Sequence, residues 1–223
     1  MDIKIEGTRF PIAHVSMDPG EVLIAESGAM VAYQGEFDIQ AKSGGILSGL
    51  ARMFFGGESF FQTYYTAQSK GAWIEITTPV LGDMMVIEAS EGWNAQSGAF
   101  VARAGTVDMS STKIGGITSW IGGEGLFMLS FSGTGPVILS AMGDLKMIEL
   151  GPGESVVIDT GNFVAKTEGV SMEIGKVAKG IFSSIFSGEG LVFRFTGPGK
   201  IIYQTRDQST FLGWIKQALN INS

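Results

Sequence analysis

The chain has 223 residues, a formal net charge of −7 and a pI near 4.8, and it contains no cysteine. That acidity disfavours a protein that tracks a nucleic-acid backbone, which needs surplus cations; the missing cysteines exclude disulfides, thiolate zinc sites, iron–sulfur clusters and cysteine nucleophiles. Hydrophobic residues at 44% against 17% charged, with 33 glycines in no triplet period, describe a packed domain rather than a disordered or collagenous one.

Met1–Glu6 alternates apolar and charged side chains and reads as a strand, not as the basic start of a signal peptide. Asp18-Pro19-Gly20-Glu21-Val22 suits a type II turn, with Pro presetting φ and Gly taking φ > 0. Ser27-Gly28-Ala29-Met30-Val31 follows it. Ile46–Phe61 is the most apolar stretch, but Arg52, Gly56, Gly57 and Glu58 interrupt it, so no integral membrane helix is expected. Apolar residues at every second position then mark strands: weakly at Phe60/Gln62/Tyr64, and clearly at Phe127/Leu129/Phe131, Leu191/Phe193/Phe195 and Ile201/Tyr203. The last segment changes period. Ser209 and Thr210 can cap a helix running to Asn220, with Phe211, Ile215 and Leu219 on one stripe and Trp214 beside them. Gly213 inside that helix costs about 1 kcal/mol relative to Ala.

Three signatures recur on one beat. Gly57-Glu58-Ser59-Phe60-Phe61, Gly123-Glu124-Gly125-Leu126-Phe127 and Gly188-Glu189-Gly190-Leu191-Val192 place their glutamates 66 and 65 positions apart. The glycines that open Gly71-Ala72-Trp73-Ile74, Gly135-Pro136-Val137-Ile138 and Gly199-Lys200-Ile201-Ile202 are both times 64 apart. The Asp18–Val31 pattern returns as Gly151-Pro152-Gly153-Glu154 with Thr160-Gly161-Asn162-Phe163-Val164. A degenerate copy lies between, Glu91-Gly92-Trp93-Asn94 with Ser97-Gly98-Ala99-Phe100-Val101. The expected fold is therefore all-β: three tandem antiparallel units over about 1–79, 80–143 and 144–208, forming one β domain over 1–208, with a C-terminal helix over 209–223. Units of this size are marginal alone and are expected to share a core.

The Ser27–Val31 and Gly151–Glu154 motifs, with Gly56–Phe61, Gly122–Phe127 and Gly188–Gly199, resemble a widespread bacterial and archaeal family of unknown function. Its eukaryotic relatives are the altered-inheritance-of-mitochondria biogenesis proteins. The likeness runs from about Asp18 to Arg206; Ser59 departs from the Gly-Glu-Gly pattern. The resemblance implies a triplicated fold like that of the tryptophan RNA-binding attenuation protein, and, for mitochondrial members, a scaffold-like part in inner-membrane organisation and respiratory-complex assembly. It implies no catalytic residues. The attenuation protein's RNA binding rests on basic residues that this acidic chain does not match.

Chemistry-bearing residues are sparse. His14, in an apolar strand, is the sole histidine, and no Gly-x-Ser-x-Gly elbow accompanies it. Gly56-Gly57-Glu58-Ser59 lacks the Lys-Ser/Thr of a P-loop. Glu58, Glu124 and Glu189 could meet on a pseudo-threefold axis and hold a hard cation, or each could brace its own glycine turn. Phe54, Phe55, Trp120, Ile121, Ile185 and Phe186, each just before such a turn, together with Phe211 and Trp214, either fill the core or form an interface. The expectation is a non-enzymatic, cytoplasmic interaction or scaffold protein, self-associating or bound to protein partners, without nucleic acid or cofactor. The alternative is a small-molecule or ion-binding protein using clefts between the β units.

Overall fold

The computed structural model describes residues 1–43, 61–114, 126–175 and 192–220. They divide into two compact units, Met1–Ala141 and Met142–Ser223. Glu58, Glu124, Glu189, Phe54, Phe55, Trp120, Ile121, Ile185 and Phe186 lie outside the described residues.

The first unit carries β1 (Asp2–Glu6), β2 (Ile12–Met17), β3 (Val22–Glu26), β4 (Met30–Gln34), β5 (Phe37–Ser43), β6 (Phe61–Ala67) and β7 (Ala72–Ile76). It continues with β8 (Gly82–Glu88), β9 (Trp93–Gln96), β10 (Phe100–Ala104), β11 (Val107–Ile114), β12 (Leu126–Gly133) and β13 (Pro136–Met142). A four-stranded sheet runs β1-β2-β7-β4, a six-stranded sheet runs β5-β6-β3-β10-β13-β8, and β11, β12 and β9 pair in that order. The second unit carries β14 (Leu145–Leu150), β15 (Ser155–Asp159), β16 (Phe163–Thr167), β17 (Ser171–Gly175), β18 (Val192–Thr196), β19 (Gly199–Gln204) and the helix α1 (Gln208–Ala218). Its strands run β16-β19-β14 and β15-β18-β17. Every pairing with a resolved register is antiparallel, for instance β2 with β7, β11 with β12, and β14 with β19. The described residues are thus mostly β, with one α-helix near the C-terminus.

The order of pairing repeats. Strands β2, β7 and β4 pair as do β8, β13 and β10, and as do β14, β19 and β16. The trio β3-β6-β5 matches β9-β12-β11 and β15-β18-β17. A register shift falls at one equivalent place in each copy, between Met30 and Ala32, Phe100 and Ala102, and Phe163 and Ala165. A bulge adds one residue to one strand and sharpens its twist; here an alanine follows it each time. Among the described strands only β1 has no counterpart.

In the first unit Val15, Leu23, Ile74, Ile76, Val101 and Ile138 share one buried cluster. Strand β13 is buried along nearly its whole length, as expected of a strand covered on both faces. In β6 the inward side chains are Tyr65 and Ala67, with Gln62 buried at the start of the strand, so the expected Gln62/Tyr64 alternation is off by one register beyond Gln62. A one-residue difference moves a side chain to the other face. In the second unit Phe163, Phe193 and Phe195 form an aromatic triad with ring centroids 4.9 to 5.9 Å apart, and Arg194 between the last two points outward. Ile201 and Ile202 are both buried, where the alternation predicted Ile201 and Tyr203.

Candidate functional site

The Pro-Gly-Glu turns are built alike. Gly20 and Gly153 take φ of +91° and +78°, which L side chains resist. The Glu21 N–H donates to Asp18 O at 3.0 Å and the Glu154 N–H to Gly151 O at 3.1 Å. Each glutamate then accepts the N–H three residues back, Asp18 at 2.8 Å and Gly151 at 2.7 Å. Burial alone would raise the Glu21 carboxyl. Hydrogen bonds from the N-terminal ammonium and from Asp18 outweigh it and hold the pKa below the ordinary value. These acids brace turns. In the middle copy a 3-10 turn, Ala89–Glu91, closed by Gly92, does that work.

The first turn opens onto the joint between β3 and β10. Ala25 faces Ala102, Ile24 faces Arg103 and Leu23 faces Ala104. Beyond the strands the Gly105 N–H donates to Val22 O at 2.7 Å. A Cβ on Gly105 would stand 2.7 Å from that of Val22, so only glycine lets the backbones approach so closely here. Over the joint lies a cleft of about 780 Å³, lined on one side by Pro19, Gly20, Glu21, Ile24 and Tyr64 and on the other by Ala104, Thr106 and Pro136, among others. Arg103 caps the Val107 carbonyl through its Nη1. Burial lowers its pKa, opposed by Tyr64 and Asp108. Lys166, at the matching place in the third copy, donates to Val170 O at 2.8 Å and is likewise lowered by burial. The first copy has Tyr33 there.

His14 stands opposite Glu75 in the β2–β7 register, with Nδ1 3.4 Å from Oε1, and its ring lies 5.2 Å from that of Trp73. This is a cross-strand pair in a sheet. Among the described residues no three His, Asp or Glu side chains are grouped to hold a metal ion.

Helix α1 starts one residue earlier than expected. Its cap is Asp207, whose carboxylate accepts from Ser209 N at 3.3 Å and Thr210 N at 2.8 Å. Ser209 and Thr210, expected to cap the helix themselves, instead donate their hydroxyls to the same carboxylate. Burial alone would raise the Asp207 carboxyl, but these hydrogen bonds outweigh it and hold it below its ordinary range. Of the expected interface residues, Phe211 is half-buried and Trp214 is 63% exposed; their rings stack 6.0 Å apart. No residue of α1 is buried, so its apolar stripe does not fill the core. Among the described residues no helix is long and apolar enough to cross a membrane. Of the cleft residues and the exposed apolar side chains of β4 and β15, Pro19, Gly20, Glu21, Val31 and Pro136 stand in the repeated motifs without being marked for binding or contact, and Tyr33 and Val157 lie in no motif. The recurrence of the Ser27–Val31 motif in buried Val101 was the available signal.

A mostly antiparallel β protein of repeated strand order, with an exposed C-terminal helix, is the class this architecture defines. The chain belongs to the mitochondrial biogenesis AIM24 family, whose model matches residues 3–206. An uncharacterised protein of Streptococcus pyogenes serotype M6 is 27% identical to it, across 96% of this chain and 89% of that protein. A crystal structure of a Streptococcus pyogenes protein from a structural genomics consortium matches with a TM-score of 0.74 and 26% identity, covering 97% of this chain and 99% of that one.

Proposed function

We propose that the protein is a non-enzymatic interaction or scaffold protein of the cytoplasm that assembles with itself and with protein partners. The observation that carries this reading is helix α1, which holds Leu212 and Trp214 exposed, with Leu219 exposed at its C-terminal cap, and has no fully buried residue. Apolar groups presented together outside a core mark contact surfaces. Its only lysine is Lys216, so the helix suits a protein surface better than an anionic lipid one. Family resemblance to mitochondrial members favours work at assemblies near a membrane. Triplication of one β module over about 1–79, 80–143 and 144–208 supports the scaffold reading, because repeated modules present repeated surfaces; the shared strand order and bulge favour that division.

The cleft over the β3–β10 joint favours a second reading, small-molecule binding between repeats. Native mass spectrometry with light scattering separates the two. A stable multimer with no retained small mass is the expected result. A 23.6 kDa monomer carrying a small additional mass would favour the cleft instead.

A further inference from the structure

We infer that β4 and β15 are two halves of one joint, closed between copies of this chain by the pairing that β3 and β10 make within it. This rests on the self-association reading above and names the surfaces it uses. The repeat order makes β4 the counterpart of β10 and β15 the counterpart of β3. Inside the first unit β3 and β10 hydrogen-bond and merge two trios into a six-stranded sheet. Among the described residues β4 and β15 each end a sheet, with nothing hydrogen-bonded beyond them.

Exposure marks what is missing. Val101 and Ile24 of the internal joint are 1% and 3% exposed. Their counterparts Val31 and Val157 are 52% and 48% exposed, and Tyr33, which replaces half-buried Arg103, is 45% exposed. Carrying the internal register over sets Ala32 against Ile158, Tyr33 against Val157 and Gln34 against Val156. Tyr33 and Val157, both exposed and apolar, then face each other and cover each other, as cross-strand pairs do. In sequence Gly35 stands where Gly105 does, here at φ +101° and packed against Ala72 and Ser69 of its own chain, and small Ser155 stands where Val22 does.

Charge sets β4 apart from every other strand that ends a sheet, and β15 is neutral up to its last position. Proteins blunt free edges with charged side chains. The other strands that end a sheet each hold at least one: Lys4 in β1, Lys42 in β5, Asp83 in β8, Asp108 in β11, Lys146 in β14 and Glu173 in β17. Strand β4 holds none, and β15 only Asp159 at its last position. The occupant is therefore a second copy, joined heterologously, β15 of one on β4 of the next; such contacts close into rings or extend.

The test uses the full chain in sedimentation velocity and light scattering over a concentration series, with Tyr33→Lys and Val157→Lys as variants and Ile39→Lys on β5 as control. The parent and the control are expected at a multiple of 23.6 kDa and each variant at 23.6 kDa. Mixing the two variants restores one good β4 and one good β15, so a one-to-one pair that grows no further is expected. Hydrogen exchange on the assembled parent should show residues 30–34 and 155–159 slowed relative to diluted chain, a readout independent of whether a variant folds. A parent that stays monomeric overturns both the self-association reading and the joint. An associating parent whose 30–34 and 155–159 amides are not slowed, or whose folded variants keep its mass, overturns the joint alone.

Discussion

Glu26 ends β3 opposite Gln62, and burial pushes its carboxyl from 4.5 up to about 7. The folded state therefore favours the neutral acid. For a carboxyl raised on folding, the stabilisation is complete below the unfolded value and is lost as pH climbs through the folded one. Between pH 4.5 and about 7 the parent should lose stability, and Glu26→Gln should flatten that decline; urea midpoints across this range would show it. Gly105 is a second point of constraint. Gly105→Ala sets a Cβ 2.7 Å from the Val22 side chain and should destabilise by about 1–3 kcal/mol, as overpacking does. Gly98→Ala meets nothing within 4 Å and should be near neutral or mildly stabilising. Thermal melts of the pair distinguish a backbone approach from general glycine sensitivity.

At the scale of the element, the Pro-Gly turns and the alternation of Phe193 and Phe195 around Arg194 were legible, because both are local: a turn is set by two residues and a half-buried strand by period two. Three features were not. Strand β13 carries no alternation because both its faces are covered, so a buried run leaves its direction open. The inward set of β6 shifted, since Tyr64 and Tyr65 are adjacent aromatics and only packing decides which turns in. The meeting of β3 with β10 joins different repeats, and no local pattern encodes a partner so distant. Around α1, Asp207 outcompeted Ser209 and Thr210 because its carboxylate accepts from both N–H groups and both hydroxyls at once. Asp207→Ala should cost the helix about 0.5–2 kcal/mol. Since no residue of α1 is fully buried and only Phe211 and Ile215 are half-buried, the expected outcome is local: faster hydrogen exchange over Gln208–Ala218 with an unchanged melt of the sheets. Because the folded carboxyl is held low, the cap should persist above its ordinary pKa and fail only as pH falls through the folded value.

For the whole molecule, the division of labour within a repeat matters more than its length. The first repeat sends β2, β7 and β4 to one sheet and β3, β6 and β5 to another, where the second repeat completes it. Removal of residues 80–141 should therefore expose β3 along its full edge rather than excise a tidy module; aggregation of that truncation in a turbidity assay is the expected result. The metal reading of Glu58, Glu124 and Glu189 and the interface reading of the apolar runs before them rest on residues outside those described.

The same joint sets a timetable for synthesis. From Glu26 to Phe100 the ribosome must add 74 residues, which at roughly 5–20 residues per second takes about 4–15 s. For that interval the outer rim of β3 has emerged without the strand destined to cover it. A nascent chain paused there offers an open template, and translation speed across this span becomes a determinant of yield.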